Sequence, residues 1–286
     1  FNLFQLARQM AILTVISLGM TFVISSGEID ISVGAIYNLS AVTMALLISQ
    51  AGFTPWTAML VAVLIGIIAG AINGIISVYL KLPTLIVTLG TVSLYKGITS
   101  TICKGLSIGN LPDNFFYLIG SGRLGPIPYL AIVAVIVVFV AHFIYKNTVF
   151  SRELLSIGSN HKAAERTGIS INRRKIEVMA FMGLMCGIAA VMSIAYLRSS
   201  SPDSGSGYEL TAIAATVVGG TPLTGGVGSI LGTLVGIALI TVIQNGLMLA
   251  GLPTSVQIAS TGILILLAVG IQQLVRRRAS SAKKAS

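Results

Sequence analysis

Charged side chains are scarce in this sequence of 286 residues: Asp, Glu, Lys and Arg make up only 9% of it, while 55% of the residues are hydrophobic. Soluble globular domains carry about 25% charged residues. A soluble chain of this length could not hide so much apolar surface, because its own surface also grows with size. The composition therefore excludes a soluble protein and predicts an all-α polytopic membrane protein.

Nucleophilic and metal-ligating residues are also few. The two cysteines, Cys103 and Cys186, and the two histidines, His142 and His161, show no spacing typical of a metal site. The glycine-rich segment 221–229 lacks the Gly-Lys-Ser/Thr of a phosphate-binding loop, and no strand precedes it. We therefore expect no enzymatic activity and no cofactor bound by this chain.

Basic residues are concentrated in one central segment, 146–175, which carries seven Lys or Arg between apolar stretches. A second basic cluster forms the tail, 276–286. Such loops lie on the cytoplasmic side of a membrane by the positive-inside rule. Topology and contact with anionic membrane lipid explain the net charge of +10 better than nucleic acid does, so we expect no nucleic-acid partner.

Apolar segments suited to a membrane recur along the chain, and a full crossing needs about 20 residues. We predict about nine transmembrane segments at 10–25, 35–49, 56–79, 85–102, 127–145, 176–197, 210–218, 230–250 and 255–275. Several are short, which is typical of the broken helices of transporters.

The two basic segments provide a test of this count, because both should be cytoplasmic and an even number of crossings must join them. The four segments after residue 175 satisfy that condition only if the short segment 210–218 crosses the membrane. Counting backwards places Phe1 outside. A complete protein with a cytoplasmic N-terminus would then have ten segments.

An internal repeat is indicated by INGIISVYLKLPTLIV (72–87) and IQNGLMLAGLPTSVQI (243–258), which both place Asn-Gly shortly before Pro-Thr. The two halves, 10–102 and 176–275, would be inverted relative to each other, as in many transporters. A chance match remains open, since both motifs are ordinary turn signals.

Acidic residues flank two of the predicted breaks. Asp30 follows the first segment in SGEIDISVG, where Gly27 and Gly34 suggest a break at an interface. An intramembrane carboxylate indicates a functional site, whereas Asp30 or Ser32 could instead cap the next helix. Glu209 could line an external mouth, pair across a dimer or stabilise a helix N-terminus.

Uncharged polar residues in or beside the segments complete the candidate translocation pathway. Amides and hydroxyls both donate and accept hydrogen bonds, so they suit a neutral polyhydroxylated solute. Ordinary bonding between helices is the alternative for each of them. The candidates, besides Asp30 and Glu209, are Asn38, Asn73, Tyr208, Gln244 and Asn245.

The central basic loop should contain a short helix that begins after an N-cap at Asn160 and ends before a left-handed Gly168. Its small residues, Ala163 and Ala164, would let it rest in a groove on another protein. An ordinary solvated loop is the alternative. We expect a large residue at Gly158 or Ala164 to uncouple transport from its energy source.

Four motifs together resemble the permease subunits of bacterial ribose-type ABC importers, which carry monosaccharides or autoinducer-2. They are SGEIDISVG, SRELLSIGSNHKAAERTGI, GYELTAIAATVVGGTPLTGGVGSILGTLVG and QNGLMLAGLP. The loop departs modestly from the family pattern, with Ser151-Arg152 where Gly-Arg is usual. It also has Ser159 where Gly is usual.

The resemblance implies a single transmembrane permease domain, 1–286, in the bacterial inner membrane. It implies a second permease copy or paralogue, a separate ABC ATPase that holds ATP and magnesium, and a periplasmic or extracellular sugar-binding protein. It also implies that the loop 146–175 couples to the ATPase; the candidate coupling residues are Arg152, Gly158, Asn160, Ala163, Ala164 and Gly168.

The sequence thus favours ATP-driven import of a neutral monosaccharide by alternating access. A permease for nucleosides or branched-chain amino acids remains an alternative. An ion-coupled carrier is a weaker one, because such carriers need ionisable groups within their spans, and here the predicted segments contain almost none.

Overall fold

A computed structural model describes residues 2–109, 111, 120–125 and 127–285. Within these residues the chain forms eleven α-helices and one two-stranded antiparallel hairpin, β1 (Arg123–Leu124) and β2 (Ile127–Pro128). The helices are α1 (Asn2–Ser25), α2 (Val33–Ser49), α3 (Pro55–Tyr79), α4 (Thr84–Ile102), α5 (Tyr129–Asn147), α6 (Val149–Ser159), α7 (His161–Arg166), α8 (Ile171–Leu197), α9 (Tyr208–Val218), α10 (Ile230–Leu249) and α11 (Thr254–Ala285).

Seven helices among the described residues are long and apolar enough to cross a membrane: α1, α3, α4, α5, α8, α10 and α11. The all-α polytopic architecture is therefore confirmed. The other two predicted segments correspond to α2, with 17 residues, and α9, with 11. At a rise of 1.5 Å per residue α9 is about 16 Å long, well short of a hydrocarbon core of about 30 Å.

The centre of the bundle is built on α1 and α8, whose most apolar stretches are each 78% buried. Helix α8 packs against α3 where both helices carry spaced glycines. A Cβ atom on Gly66 would lie 2.4 Å from the carbonyl oxygen of Gly183, and one on Gly183 would lie 2.0 Å from that of Gly66. Small residues allow two helix backbones to approach this closely in a membrane.

The outer helices are far less covered by the rest of the chain. Helices α3, α4, α5 and α10 bury only 22–33% of their most apolar stretches, and α11 buries 6%. Large apolar side chains such as Phe139 and Leu266 point away from the bundle. In a membrane protein such surfaces meet lipid tails or another apolar chain.

The connections gather at two ends of the bundle. At one end the linker 26–32 meets the basic loop and the glycine-rich segment 221–229. At the other end Ile108 and Ser200 exchange backbone hydrogen bonds, and Arg8 donates to the carbonyl oxygen of Ser121. We call these the basic-loop end and the distal end.

Candidate functional site

The basic loop is joined to the bundle by a contact of four glycines, Gly27, Gly158, Gly225 and Gly226, which we call the glycine contact. The amide of Gly226 donates to the carbonyl oxygen of Ser25 at 2.9 Å. A Cβ atom on Gly158 would lie 2.1 Å from that oxygen and 2.5 Å from the nitrogen of Gly226. The C-terminal turn of α6 therefore rests directly on the end of α1.

An ion pair links the same region to two further helices. Lys175 Nζ lies 2.9 Å from Glu28 Oε1, and both side chains are about four-fifths buried. The hydroxyl of Thr84, at the start of α4, donates to the other oxygen of Glu28. Glu28 thus connects the linker 26–32 to α4 and to the basic N-terminal turn of α8.

The predicted helix in the basic loop is present as α7, with the expected ends. Asn160 Oδ1 accepts a hydrogen bond from the amide of Ala163 at 3.1 Å, so Asn160 is the N-cap. Gly168 follows the helix with φ of +83°. A second helix, α6, occupies the first part of the loop, where the sequence analysis specified no helix.

The candidate coupling residues divide between two surfaces. Arg152, Asn160, Ala163 and Gly168 are exposed. Ala164 is buried, and Gly158 lies in the glycine contact. Those two residues therefore face this chain rather than a partner, and a large side chain at either position would disturb the loop itself.

Replacing Asn160 with alanine should loosen α7 without affecting the bundle. Loss of an N-cap side chain costs about 1 kcal/mol, so amide hydrogen exchange within 161–166 should become roughly fivefold faster. Hydrogen exchange with mass spectrometry measures this effect. Asn172→Ala, an exposed asparagine in the first turn of α8, is the matched control and should leave exchange in α7 unchanged.

Asp30 lies at the start of a buried hydrogen-bond chain. Its Oδ1 accepts from the amide of Ser32 at 2.7 Å and from the Ser32 hydroxyl at 2.6 Å. The amide of Asn73 donates to the Ser32 hydroxyl at 2.8 Å, and Tyr95 donates to Asn73 Oδ1 at 3.0 Å. The chain joins the linker 26–32 to α3 and α4.

The burial of Asp30 corrects the sequence analysis, which placed this carboxylate at an interface. Asp30 is fully buried, and its Oδ2 has no hydrogen-bond partner among the described residues. Ser32 is the N-cap residue of α2, as one prediction had it, but its side chain makes no capping bond. Asp30 instead fixes the backbone turn before α2.

The linker that precedes α9 packs against the start of α2 inside the bundle. Asn38 Oδ1, in α2, accepts from the amide of Gly205 at 2.7 Å. A Cβ atom on Gly34 would lie 2.3 Å from the carbonyl oxygen of Gly205. Glu209 accepts from the amide of Gly207 at 3.2 Å, so it stabilises the start of α9, one of the roles considered above.

A cavity of about 190 Å³ opens beside this meeting point, between the linker 198–207 and helices α9, α10 and α11. Gln244, 14 residues beyond Ile230, lies about 21 Å along α10 from the basic-loop end. The cavity therefore faces the distal end. Its polar lining residues are Ser206, Tyr208, Thr211, Gln244, Thr254, Gln257 and Thr261.

The structure groups the predicted pathway residues only in part. Tyr208 and Gln244 line the cavity. Asp30 and Asn73 belong instead to the buried hydrogen-bond chain. Asn38 accepts a hydrogen bond from the linker that precedes α9. Asn245 lies outside the cavity lining.

Sequence reasoning missed the polar side of α11. Thr254, Gln257 and Thr261 lie at positions i, i+3 and i+7, which share one face of a helix, and all three line the cavity. Gln244 donates to the hydroxyl of Thr261 at 3.0 Å across the two helices. The same spacing was visible in the sequence.

Comparison with known proteins gives a family match over almost the whole chain. A family model described as the permease component of a branched-chain amino acid transport system matches residues 2–269. No solved structure matches the chain.

Individual relatives are sugar permeases. The chain is 40% identical to the ribose import permease protein of Bacillus subtilis over 94% of this chain and 83% of that protein. It is 36% identical to the ribose import permease protein of Haemophilus influenzae over 94% and 84%, respectively. It is 33% identical to the D-allose transport system permease protein of Escherichia coli K12 over 96% and 84%. These matches confirm the resemblance on which the sequence analysis relied.

Proposed function

Because the chain belongs to the family of ribose-type ABC importer permease components, we propose that it carries a neutral monosaccharide through the bundle by ATP-driven alternating access. The chain is a multi-pass inner-membrane transport subunit and not an enzyme. It works with an ATPase and a substrate-binding protein, as importers of this family do. ATP and magnesium belong to the ATPase in this proposal.

The observation that carries the solute class is the uncharged cavity at the distal end. Its polar lining consists of hydroxyls and amides, and none of its described lining residues is charged. A sugar offers donors and acceptors in every direction without net charge, so it matches such a lining. This agrees with the ribose and allose permeases among the relatives.

Import of a branched-chain amino acid is the second candidate, because the family model carries that description. One observation favours it: Lys96 Nζ lies 3.5 Å from the hydroxyl of Ser206 at the exposed rim, where it could attract a carboxylate. A zwitterion that enters the cavity would nevertheless leave its charges without partners, which is costly in an apolar setting.

Reconstitution tests the proposed function. The permease, its ATPase and its binding protein would be placed in liposomes, and both ATP hydrolysis and uptake would be followed. Sugar-loaded binding protein should stimulate hydrolysis, and uptake should need ATP. Uptake driven by an ion gradient in the absence of the ATPase would contradict the proposal.

We further propose that the exposed side of the loop 146–175 is the cytoplasmic coupling surface for the ATPase. Its supports are the defined ends of α7, the exposed Arg152, Ala163 and Arg166, and the glycine contact that holds α6 on α1. Force applied to the loop would then reach α1 and the segment 221–229 directly.

Ala163→Trp is expected to lower uptake by about tenfold, which corresponds to about 1.4 kcal/mol of lost coupling, while the permease still inserts. Ala163 is exposed on α7, so the added ring should obstruct docking rather than folding. Uptake and ATPase stimulation are the measurements. Ala163→Ser, which adds only a hydroxyl at the same exposed position, should leave both unchanged.

The predicted topology also remains a proposal. We propose nine crossings in this chain, with α2 and α9 serving as short crossings completed by their linkers. The support is that the linker 198–207 enters the bundle and meets the start of α2, where Gly205 lies against Gly34. Labelling of single cysteines from each side of the membrane tests the count.

An inverted repeat of 10–102 and 176–275 is consistent with this meeting. In each half a long central helix, α1 or α8, is followed by an inward linker and a short helix, and the two pairs run in opposite directions. The tail 276–286 would be cytoplasmic. A second permease copy or paralogue and membrane lipid would cover the exposed apolar faces.

A further inference from the structure

We infer that the distal cavity is a weak binding site for a neutral monosaccharide within the permease itself, in which Gln257 supplies the principal free amide. This inference rests on the proposed function and adds a defined site to it. The solute would occupy the space between the linker 198–207 and helices α9, α10 and α11 before it passes onward.

The first support is an amide in the cavity that the protein leaves available. Gln244 uses its amide nitrogen on Thr261. Gln257 lines the same cavity, and no described residue bonds its side-chain amide. One primary amide can donate and accept at once, so Gln257 can bind two neighbouring hydroxyls of a sugar.

The second support is the position of these polar groups on helices that otherwise suit lipid. A polar side chain in a membrane span bonds a neighbouring helix or faces a water-filled path. Thr254, Gln257 and Thr261 occupy one side of α11, a helix that is almost uncovered elsewhere. A hydrogen bond between helices explains the polar side chain of Thr261, whereas no described hydrogen bond explains that of Gln257.

The third support is the chemistry of the opposite wall. Tyr208 packs against Tyr37 with ring centroids 5.1 Å apart, so its ring is held in place at the start of α9. Apolar atoms of Leu13 and Ile258 complete the lining. A sugar has both apolar C–H faces and polar edges, which this combination fits.

The site should be weak, because a passage that holds its solute tightly cannot release it. The lining has no charged side chain among the described residues, and the hydrogen bonds that it offers are neutral. Such a site would escape detection in the presence of a tight sugar-binding protein.

Cysteine protection tests the site directly. Thr211→Cys, in the cavity lining, would be introduced into the full chain assembled with its ATPase in membrane vesicles, and a small water-soluble thiol reagent would be added from the distal side. The native Cys103 and Cys186 are buried and give little background. Without labelling at Thr211→Cys the cavity is closed to water, which would overturn the inference.

D-ribose is the probe, and L-leucine at equal concentration is the comparison. Protection follows 1 + [sugar]/Kd, so ribose at about ten times Kd should slow labelling of Thr211→Cys about tenfold. Ser255→Cys, exposed on α11 but outside the cavity, should react at a rate that ribose does not change. Absence of protection, or equal slowing at both positions, overturns the inference.

A second pair of variants separates solute binding from structure. In a Thr211→Cys background, Gln257→Leu should abolish protection by ribose, whereas Ser260→Ala, outside the lining, should preserve it. Protection that survives Gln257→Leu would contradict the role of this amide.

The outcomes also distinguish this inference from the proposed function. If the complex takes up ribose with ATP but ribose does not protect Thr211→Cys, the inference alone fails. If leucine protects and ribose does not, the solute class of the proposed function fails with it.

Discussion

Gly158→Ala is expected to abolish coupled uptake and to destabilise the permease by about 2–3 kcal/mol. The added methyl group would lie 2.1 Å from the carbonyl oxygen of Ser25 and 2.5 Å from the nitrogen of Gly226. Both are backbone atoms, so no side chain can turn away, and overpacking of this kind typically costs 1–3 kcal/mol. Helix α6 must then move off the end of α1.

The displacement should separate the basic loop from the bundle it is proposed to drive. The hydrogen bond from Gly226 to Ser25 lies in the same contact, so the segment 221–229 would shift as well. We therefore expect ATP hydrolysis that no longer responds to sugar-loaded binding protein. Thermal unfolding of the purified complex and uptake in liposomes are the two measurements.

Gly97→Ala is the matched control. Gly97 lies within α4, and no heavy atom lies within 4 Å of the position that its Cβ would occupy. Because alanine is a better helix former than glycine by about 1 kcal/mol, this variant should be at least as stable as the parent chain. If Gly158→Ala matched Gly97→Ala in stability and uptake, the glycine contact would have no mechanical role.

Local features of the basic loop could be predicted because neighbouring residues determine them. An asparagine that accepts from the third amide ahead, and a glycine that adopts positive φ, define both ends of α7 within nine residues. The apolar segments were predictable for the same reason, since each is a property of one stretch of chain.

Contacts between distant segments could not be predicted in this way. Nothing near Gly158 in the sequence indicates that its neighbour is Ser25, and nothing near Gly34 indicates Gly205. The sequence marked both glycine-rich linkers as breaks, but how deeply a break is buried depends on the helices around it. That is why Asp30, expected at an interface, lies fully inside the protein.

The cavity is a third case: the sequence showed its polar residues but not which of them would lie together. Gln244 stood out as an amide in a span, and the polar side of α11 had a helical spacing. Only the packing of α10 on α11 brings Gln244 and Thr261 within 3.0 Å and makes both part of one lining.

Asp30→Ala is the second variant with a large expected effect, about 3 kcal/mol of lost stability together with loss of uptake. Among the described residues, Asp30 alone accepts hydrogen bonds from the amide and the hydroxyl of Ser32. Leaving a buried donor without a partner costs about 1–3 kcal/mol each. Ser32 is also the acceptor for Asn73, so the effect should extend to α3 and, through Tyr95, to α4.

Asp30→Asn separates the hydrogen bonds from the charge. The amide oxygen of asparagine can accept both bonds from Ser32, while its neutral side chain avoids the cost of a buried carboxylate whose Oδ2 has no described partner. This variant should therefore keep most of the stability and uptake that Asp30→Ala loses. Thermal unfolding and liposome uptake of the two variants are the measurements. Equal loss in both variants would mean that the carboxylate acts through its charge, and the buried chain from Ser32 to Tyr95 would then not be what fixes the start of α2.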